Sequence, residues 1–127
     1  MKTLYISLAW LLIIIILWFF VYNFVLNNAI NFFSDELNIL HESVIKENYN
    51  EAKPNIDKIK KRWEETEKIW IYCVNQSEVE NIKSSISKIE NYIKIENQAM
   101  ALLEIEEFKK FLSLVKGNES LSLENIF

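Results

Sequence analysis

Between Thr3 and Ser34 the chain has no charged side chain, and residues 4–26 are almost wholly apolar. Beyond that run the apolar residues stop clustering and recur in steps of three and four. The first set is Phe33, Leu37, Leu40 and Val44, and the second is Ala52, Ile56, Ile59, Trp63, Trp70 and Val74. The third is Val79, Ile82, Ile86, Ile89 and Ile93, and the fourth Ala101, Ile105, Phe108, Leu112 and Val115. Such steps place each set on one face of a helix, with Glu, Lys and Asn opposite, and no set shows the period-two alternation of a strand. The pattern predicts an all-α fold: an N-terminal membrane helix continuing into a small antiparallel bundle, about four helices including the anchor's extension.

The breaks between the stripes suggest where helices start and stop. Ser77-Glu78-Val79-Glu80 fits a capping box, with the serine hydroxyl and Glu80 satisfying each other's backbone amides. Lys116-Gly117 fits a C-terminal stop, because glycine takes positive φ at no steric cost. Asn48, Asn50 and Asn97 are candidate N-caps, and Pro54 requires the second helix to begin shortly before it, near Asn50. An internal repeat at an offset of 49 residues supports the hairpins. Glu47-Asn48, Ala52, Ile56, Ile59 and Lys60-Lys61 match Glu96-Asn97, Ala101, Ile105, Phe108 and Lys109-Lys110. Shared helical-hairpin geometry explains this better than a tetratricopeptide-like array, which needs more copies.

About 23 apolar residues at 1.5 Å each reach roughly 35 Å, enough to cross a bilayer with some tilt. A cleaved signal would have a shorter apolar core and a small-residue cleavage site, and none follows Leu17, so an uncleaved anchor is expected. Trp10, Trp18 and Tyr22 are spread too evenly for an interfacial belt and read as lipid-facing bulk. Lys2 and the amino terminus lie on one side of the run, Asp35, Glu36 and Glu42 on the other. Positive-inside logic then gives a cytoplasmic residue 1–3 segment, a membrane span at 4–26 and an extracytoplasmic bundle at 27–127. The plan is that of a type IV pilin, but neither a pilin processing site nor its glutamate early in the helix is present. The polar residues of Asn27 to Asn31 suit a headgroup zone. The spacing from Phe33 onward predicts one helix running from lipid into the bundle, without a tether.

Composition removes several function classes. The formal charge is −4, and after the apolar run 13 basic residues face 18 acidic ones, so phosphate-backbone binding and nucleic-acid partners are not expected. A single cysteine, Cys73, excludes a disulfide framework or cysteine cluster within one chain and reads as a small buried hydrophobe. With one glycine and one proline there is no phosphate-cradling loop. His41 is the only histidine, which rules out the paired Glu-x-x-His of a di-iron bundle, and Ser34, Ser77 and Ser113 have no hydrolase elbow. Glu64 with Glu67 and Glu104 with Glu107 share helix faces. They read as solvated surface with i+4 partners, Glu64 with Lys68 and Glu106 with Lys110, so no metal or other cofactor is expected. The basic stretch Lys58 to Arg62 is flanked by Asp57, Glu64, Glu65 and Glu67 and also reads as a solvated face, with anionic lipid as a minor possibility.

Trp63 and Trp70, the stretch SEVENIKSSISKIENYI (Ser77 to Ile93) and the ending SLSLENIF (Ser120 to Phe127) resemble a bacterial family. It is the one catalogued as domain of unknown function 4363, and the likeness covers nearly the whole chain. The resemblance implies a single N-terminal membrane helix with a small helical domain, no assigned activity, and a partner among multipass membrane proteins. Gln76 stands where many members are expected to carry histidine, which argues against an indispensable acid–base or metal role there.

Trp63 and Trp70, seven apart, fall on one stripe and suit the core, whereas Ile69, Ile71 and Tyr72 give this helix more apolar surface than one core face needs. Trp63, Trp70, Ile71 and Tyr72 are therefore the candidate core or partner-contact residues. The expected function is a non-enzymatic interaction or accessory protein in the cell membrane, serving another membrane protein or a second copy of itself. The alternative is an extracytoplasmic module that binds a small ligand or metal.

Overall fold

The computed structural model describes the backbone of residues 1–126 and the side chains of residues 1–117. The family-like ending Ser120 to Phe127 lies outside the described side chains. Four helices make up the fold: α1 (Lys2–Ile45), α2 (Tyr49–Cys73), α3 (Gln76–Lys94) and α4 (Gln98–Ile126). Among the described residues there is no strand. α1 packs on α2 and α4, and α3 packs on the same two, so the helices form an up-down ring in which each touches its sequence neighbours and α4 closes on α1.

α1 runs unbroken for 44 residues and contains neither glycine nor proline. Its character changes along its length. Residues 1–21 are all exposed, and burial as a stripe begins at Leu26 and continues through Phe33, Leu37, Leu40 and Val44. The first half is apolar all round and the second is amphipathic, its apolar stripe buried in the bundle.

Every member of the four predicted stripes is buried, and Leu26, Ala29 and Ile30 extend the core toward the apolar half. At its centre Phe33 meets Trp63 (6.2 Å between ring centroids), Trp70 (6.4 Å) and Phe108 (5.8 Å). Trp63 and Trp70 stand edge to face at 5.8 Å, a favoured arrangement of aromatic quadrupoles. Among the described residues neither buried indole N–H has a hydrogen-bond partner, and the two rings pack on each other and on Phe33. The buried hydroxyls of Ser43 and Thr66 donate to the carbonyls four residues back, Ile39 and Arg62.

Helix ends depart from the sequence expectations in two places. Asn75, two residues before Ser77, caps α3, and its side chain accepts from the Ser77 amide (3.3 Å) and hydroxyl (3.2 Å). A capping box in the Ser77 register is thus replaced by an asparagine cap with Glu78 in the first turn. α2 begins at Tyr49 with Asn48 as its cap residue, as expected to within a residue; Pro54 lies just past the first turn, where it gives up one backbone hydrogen bond, and the Asn48 side chain makes no capping bond. Asn97 caps α4 as expected, accepting from the Met100 amide at 3.2 Å. Finally, Gly117 does not stop α4, which continues to Ile126 with no glycine at positive φ. No proline follows Gly117 to enforce an end, and a lone glycine costs a helix only about 1 kcal/mol.

The 49-residue repeat is a repeat of turn geometry. Glu47 (φ 55°) and Glu96 (φ 56°) both take the left-handed conformation after a helix end. The Glu47 amide donates to Val44 and the Asn48 amide to Ser43; in the second copy Glu96 donates to Ile93 and Asn97 to Tyr92. These are two Schellman turns with glutamate in the place usually held by glycine.

Candidate functional site

The feature to explain is the far end of α2, where the surplus apolar residues lie. The α1–α2 turn is centred on Glu47 and Asn48, and α2 is 25 residues long, so an antiparallel α2 returns to the level of Tyr22. The Tyr22 hydroxyl indeed donates to the Cys73 carbonyl, the last of α2, at 3.2 Å. The bundle therefore overlaps the apolar run and does not begin where that run ends.

Two adjoining recesses lie in the α1–α2 seam at this overlap. The lower, about 190 Å³, is lined by Trp18, Val21, Tyr22, Val25, Leu26, Ile69, Trp70 and Cys73, and is almost wholly apolar. The upper, about 180 Å³, is lined by Val25, Ala29, Arg62, Glu65, Thr66, Ile69 and Trp70. Arg62, Glu65, Ile69 and Tyr72 follow in steps of three, four and three, so one face of α2 grades from charged to apolar as it descends toward Tyr22.

The candidate residues separate cleanly here. Trp63 and Trp70 are 3 % and 1 % exposed and belong to the core, with the edge of Trp70 also reaching both recesses. Ile71 is exposed and Tyr72 is 85 % exposed. Cys73 is exposed, against the expectation of a buried hydrophobe, because Val74 takes the last buried position of that stripe. Trp18, Tyr22, Val25 and Ile69 also line the site, the first two of which read from the sequence as lipid-facing bulk. Counting an equal number of residues on either side of the 47–48 turn would have paired them with the end of α2.

Most of the ion pairs among the described residues run between helices rather than along them. Lys58 bonds Glu36 at 2.8 Å across the α1–α2 seam, and Lys60–Glu90 (3.2 Å) and Lys83–Glu67 (3.4 Å) bridge α2 and α3. Lys88–Glu104 (3.9 Å) joins α3 to α4, and His41–Glu106 (3.8 Å) joins α1 to α4. The expected i+4 partners are replaced: Glu106 pairs with Lys109 and His41, and Glu64 and Lys68 form no ion pair among the described residues. The basic stretch is likewise engaged, with Lys58 and Arg62 both stacked on the Phe32 ring at 5.6 and 5.1 Å. Exposed pairs of this kind are worth about 0 to 1 kcal/mol each, but one on every seam favours this neighbour order over others.

A third recess, between α3 and α4, is polar and lined by Ser85, Lys88, Glu104 and Glu107 among others. Its charges are partly spent on the Lys88–Glu104 pair. Among the described residues no three His, Cys, Asp or Glu side chains converge to hold a metal ion. Tyr49 lies at the opposite end of the bundle. Burial, and then the neighbouring Glu47 and Glu96 carboxylates, raise its hydroxyl above the ordinary tyrosine value of 10.0.

No curated protein and no solved structure matches the chain. A family model matches residues 19–126, from within the overlap zone of α1 to the end of α4. The chain belongs to the family described as Domain of unknown function (DUF4363).

Proposed function

We propose that this is a non-enzymatic accessory protein of the cell membrane, anchored by α1 with residues 1–3 in the cytoplasm and the bundle on the extracytoplasmic face. Its partner is another membrane protein or a second copy of the chain. One observation carries the reading: the apolar half of α1 is long enough to cross a bilayer, has no residue buried by the protein, and runs without a break into the bundle. A rigid connection of that kind holds the domain against the membrane, and the exposed apolar groups Ile71 and Tyr72 lie at its membrane end. The acidic excess beyond the apolar run and Lys2 before it support the orientation.

The test is cross-linking of the full chain in its native membrane from a photoreactive residue at position 72, with position 47 as control. Adducts to a defined membrane protein or to a second copy from 72 but not from 47 are expected; lipid adducts alone would overturn the accessory role. Protease added outside intact cells should remove the bundle, and protection would reverse the orientation.

A further inference from the structure

The hairpin that joins α2 to α3 differs in composition from the rest of the bundle. From Ile69 to Ser77 nine consecutive residues carry no charge, between Lys68 and Glu78. Ile69, Ile71, Tyr72 and Cys73 in it are exposed. In a water-facing turn an uncharged, aromatic tip flanked by a lipid-like recess would be a liability.

Its depth can be estimated. With Lys2 held at one headgroup layer, a hydrocarbon core of about 30 Å is crossed in about 20 residues at 1.5 Å each, which places the far boundary near Tyr22. Tyr22 is the residue whose hydroxyl reaches the Cys73 carbonyl. The tip of the hairpin thus falls at the hydrocarbon–headgroup boundary. There a tyrosine with an apolar body and a polar end is favoured, and Asn75 can meet water. Trp18 and Val21 of the lower recess lie at or below that level, on the half of α1 that faces lipid, and Val25 lies one turn above it. The exposed Lys68, about 7 Å above the tip along α2, lies in the headgroup layer, and Glu65 and Arg62, about 12 and about 16 Å above it, lie on its aqueous side.

We infer that the α2–α3 hairpin is a second membrane-contacting element, seated at the hydrocarbon–headgroup boundary of the leaflet on the bundle side. Lipid acyl chains pack against the recess lined by Trp18, Val21, Val25 and Ile69. The inference rests on α1 crossing the membrane, and it deepens the accessory reading: a partner that meets Ile71 and Tyr72 does so at lipid depth and not in the aqueous space. The gradient on α2 from Arg62 and Glu65 to Ile69 and Tyr72 follows the polarity gradient of a leaflet, and the recess is continuous with the lipid-facing surface of α1.

The test uses the full chain in vesicles of phosphatidylcholine and phosphatidylglycerol, with a nitroxide spin label on Cys73, or on Tyr72→Cys in a Cys73→Ser background. In that background Ile13→Cys reports the span and Glu47→Cys the distal end. Accessibility to oxygen, which concentrates in lipid, is compared with accessibility to a water-soluble nickel chelate. Labels at 72 and 73 should favour oxygen several-fold, at a shallower depth than 13, while 47 favours nickel. If 72 and 73 match 47 while 13 stays in lipid, the hairpin inference fails and the span stands. Nickel access at 13 would remove the span and the inference with it. Shielding of 72 from both reagents, with dipolar broadening of the spectrum, would show that a second copy and not lipid covers the surface.

Discussion

Far from the apolar half of α1, the bundle is closed by the two glutamate-bearing Schellman turns, which also hold each other. The Tyr49 hydroxyl donates to the Glu96 carbonyl at 3.4 Å, and the Gln98 amide donates to the Val44 and Ile45 carbonyls at 3.2 and 3.0 Å. At the other end the chain passes from α2 to α3 through an extended Val74 (φ −110°, ψ 150°), and the terminal Cys73 carbonyl is satisfied by Tyr22 from α1. Both ends meet the same requirement, that carbonyls left open at a helix end find donors. Each uses a tyrosine hydroxyl, but the distal end adds the Gln98 amide and sits among charged residues such as Glu47 and Glu96, whereas the other end draws its tyrosine from the apolar half of α1 and carries no charge over nine residues. The two ends therefore differ in polarity even though the core between them is continuous.

The largest expected effect separates the two neighbours Trp70 and Tyr72 at the uncharged end. Trp70→Ala removes a core ring touching Phe33 and Trp63 and should cost about 3 to 5 kcal/mol of unfolding free energy. Tyr72→Ala, at an exposed site, should stay within about 0.5 kcal/mol. Denaturation of the full chain in detergent micelles measures both. Equal losses would mean that Tyr72 is structural, and would remove the reason for treating this end as an interaction surface.

The same two residues show what could be read in advance. Apolar spacing within each helix identified all four core stripes, Trp63 and Trp70 among them, because the period of one helix is a property of its own sequence. What failed concerned relations between helices. Glu36 finds Lys58, and Glu67 finds Lys83, only once the register of two helices is fixed, and Trp18 and Tyr22 acquire neighbours for the same reason. Cap positions erred differently. Asn75 and Ser77 are both acceptable N-caps, and the choice falls to Asn75 because Val79 and Ile82 must face the core from a helix already under way. Gly117 looked like a stop by residue type, but a glycine ends a helix only when the chain beyond it leaves.

A middle-sized effect tests whether the two ends are built from different backbone requirements. Glu47→Gly and Glu96→Gly replace side chains held at φ 55° and 56°, so each should stabilise the protein by about 0.5 to 1 kcal/mol. At the uncharged end Val74→Gly should act in the opposite direction. It gives up a buried side chain at a position whose extended backbone any residue adopts, and a loss of about 1 kcal/mol or more is expected. A destabilising Glu47→Gly would show that the carboxylate contributes more at the distal end than its strained backbone costs.

The smallest effect is confined to alkaline pH and to the distal end. Because the Tyr49 hydroxyl is raised by burial and by Glu47 and Glu96, the folded protein keeps its proton where the unfolded chain has lost it. Between the unfolded and folded pKa values the native state binds more protons, so stability falls as pH rises. Tyr49's contribution is fully present below the ordinary value of 10.0 and is lost as pH climbs through its raised value. Comparing the native chain with Tyr49→Phe at pH 8 and again at pH 11 isolates this, since other tyrosines and lysines titrate alike in both. The advantage of the native chain should shrink or change sign at the higher pH. An advantage independent of pH would mean that Tyr49 does not feel the two carboxylates, and that the paired turns are held by their backbone bonds and by Gln98 alone.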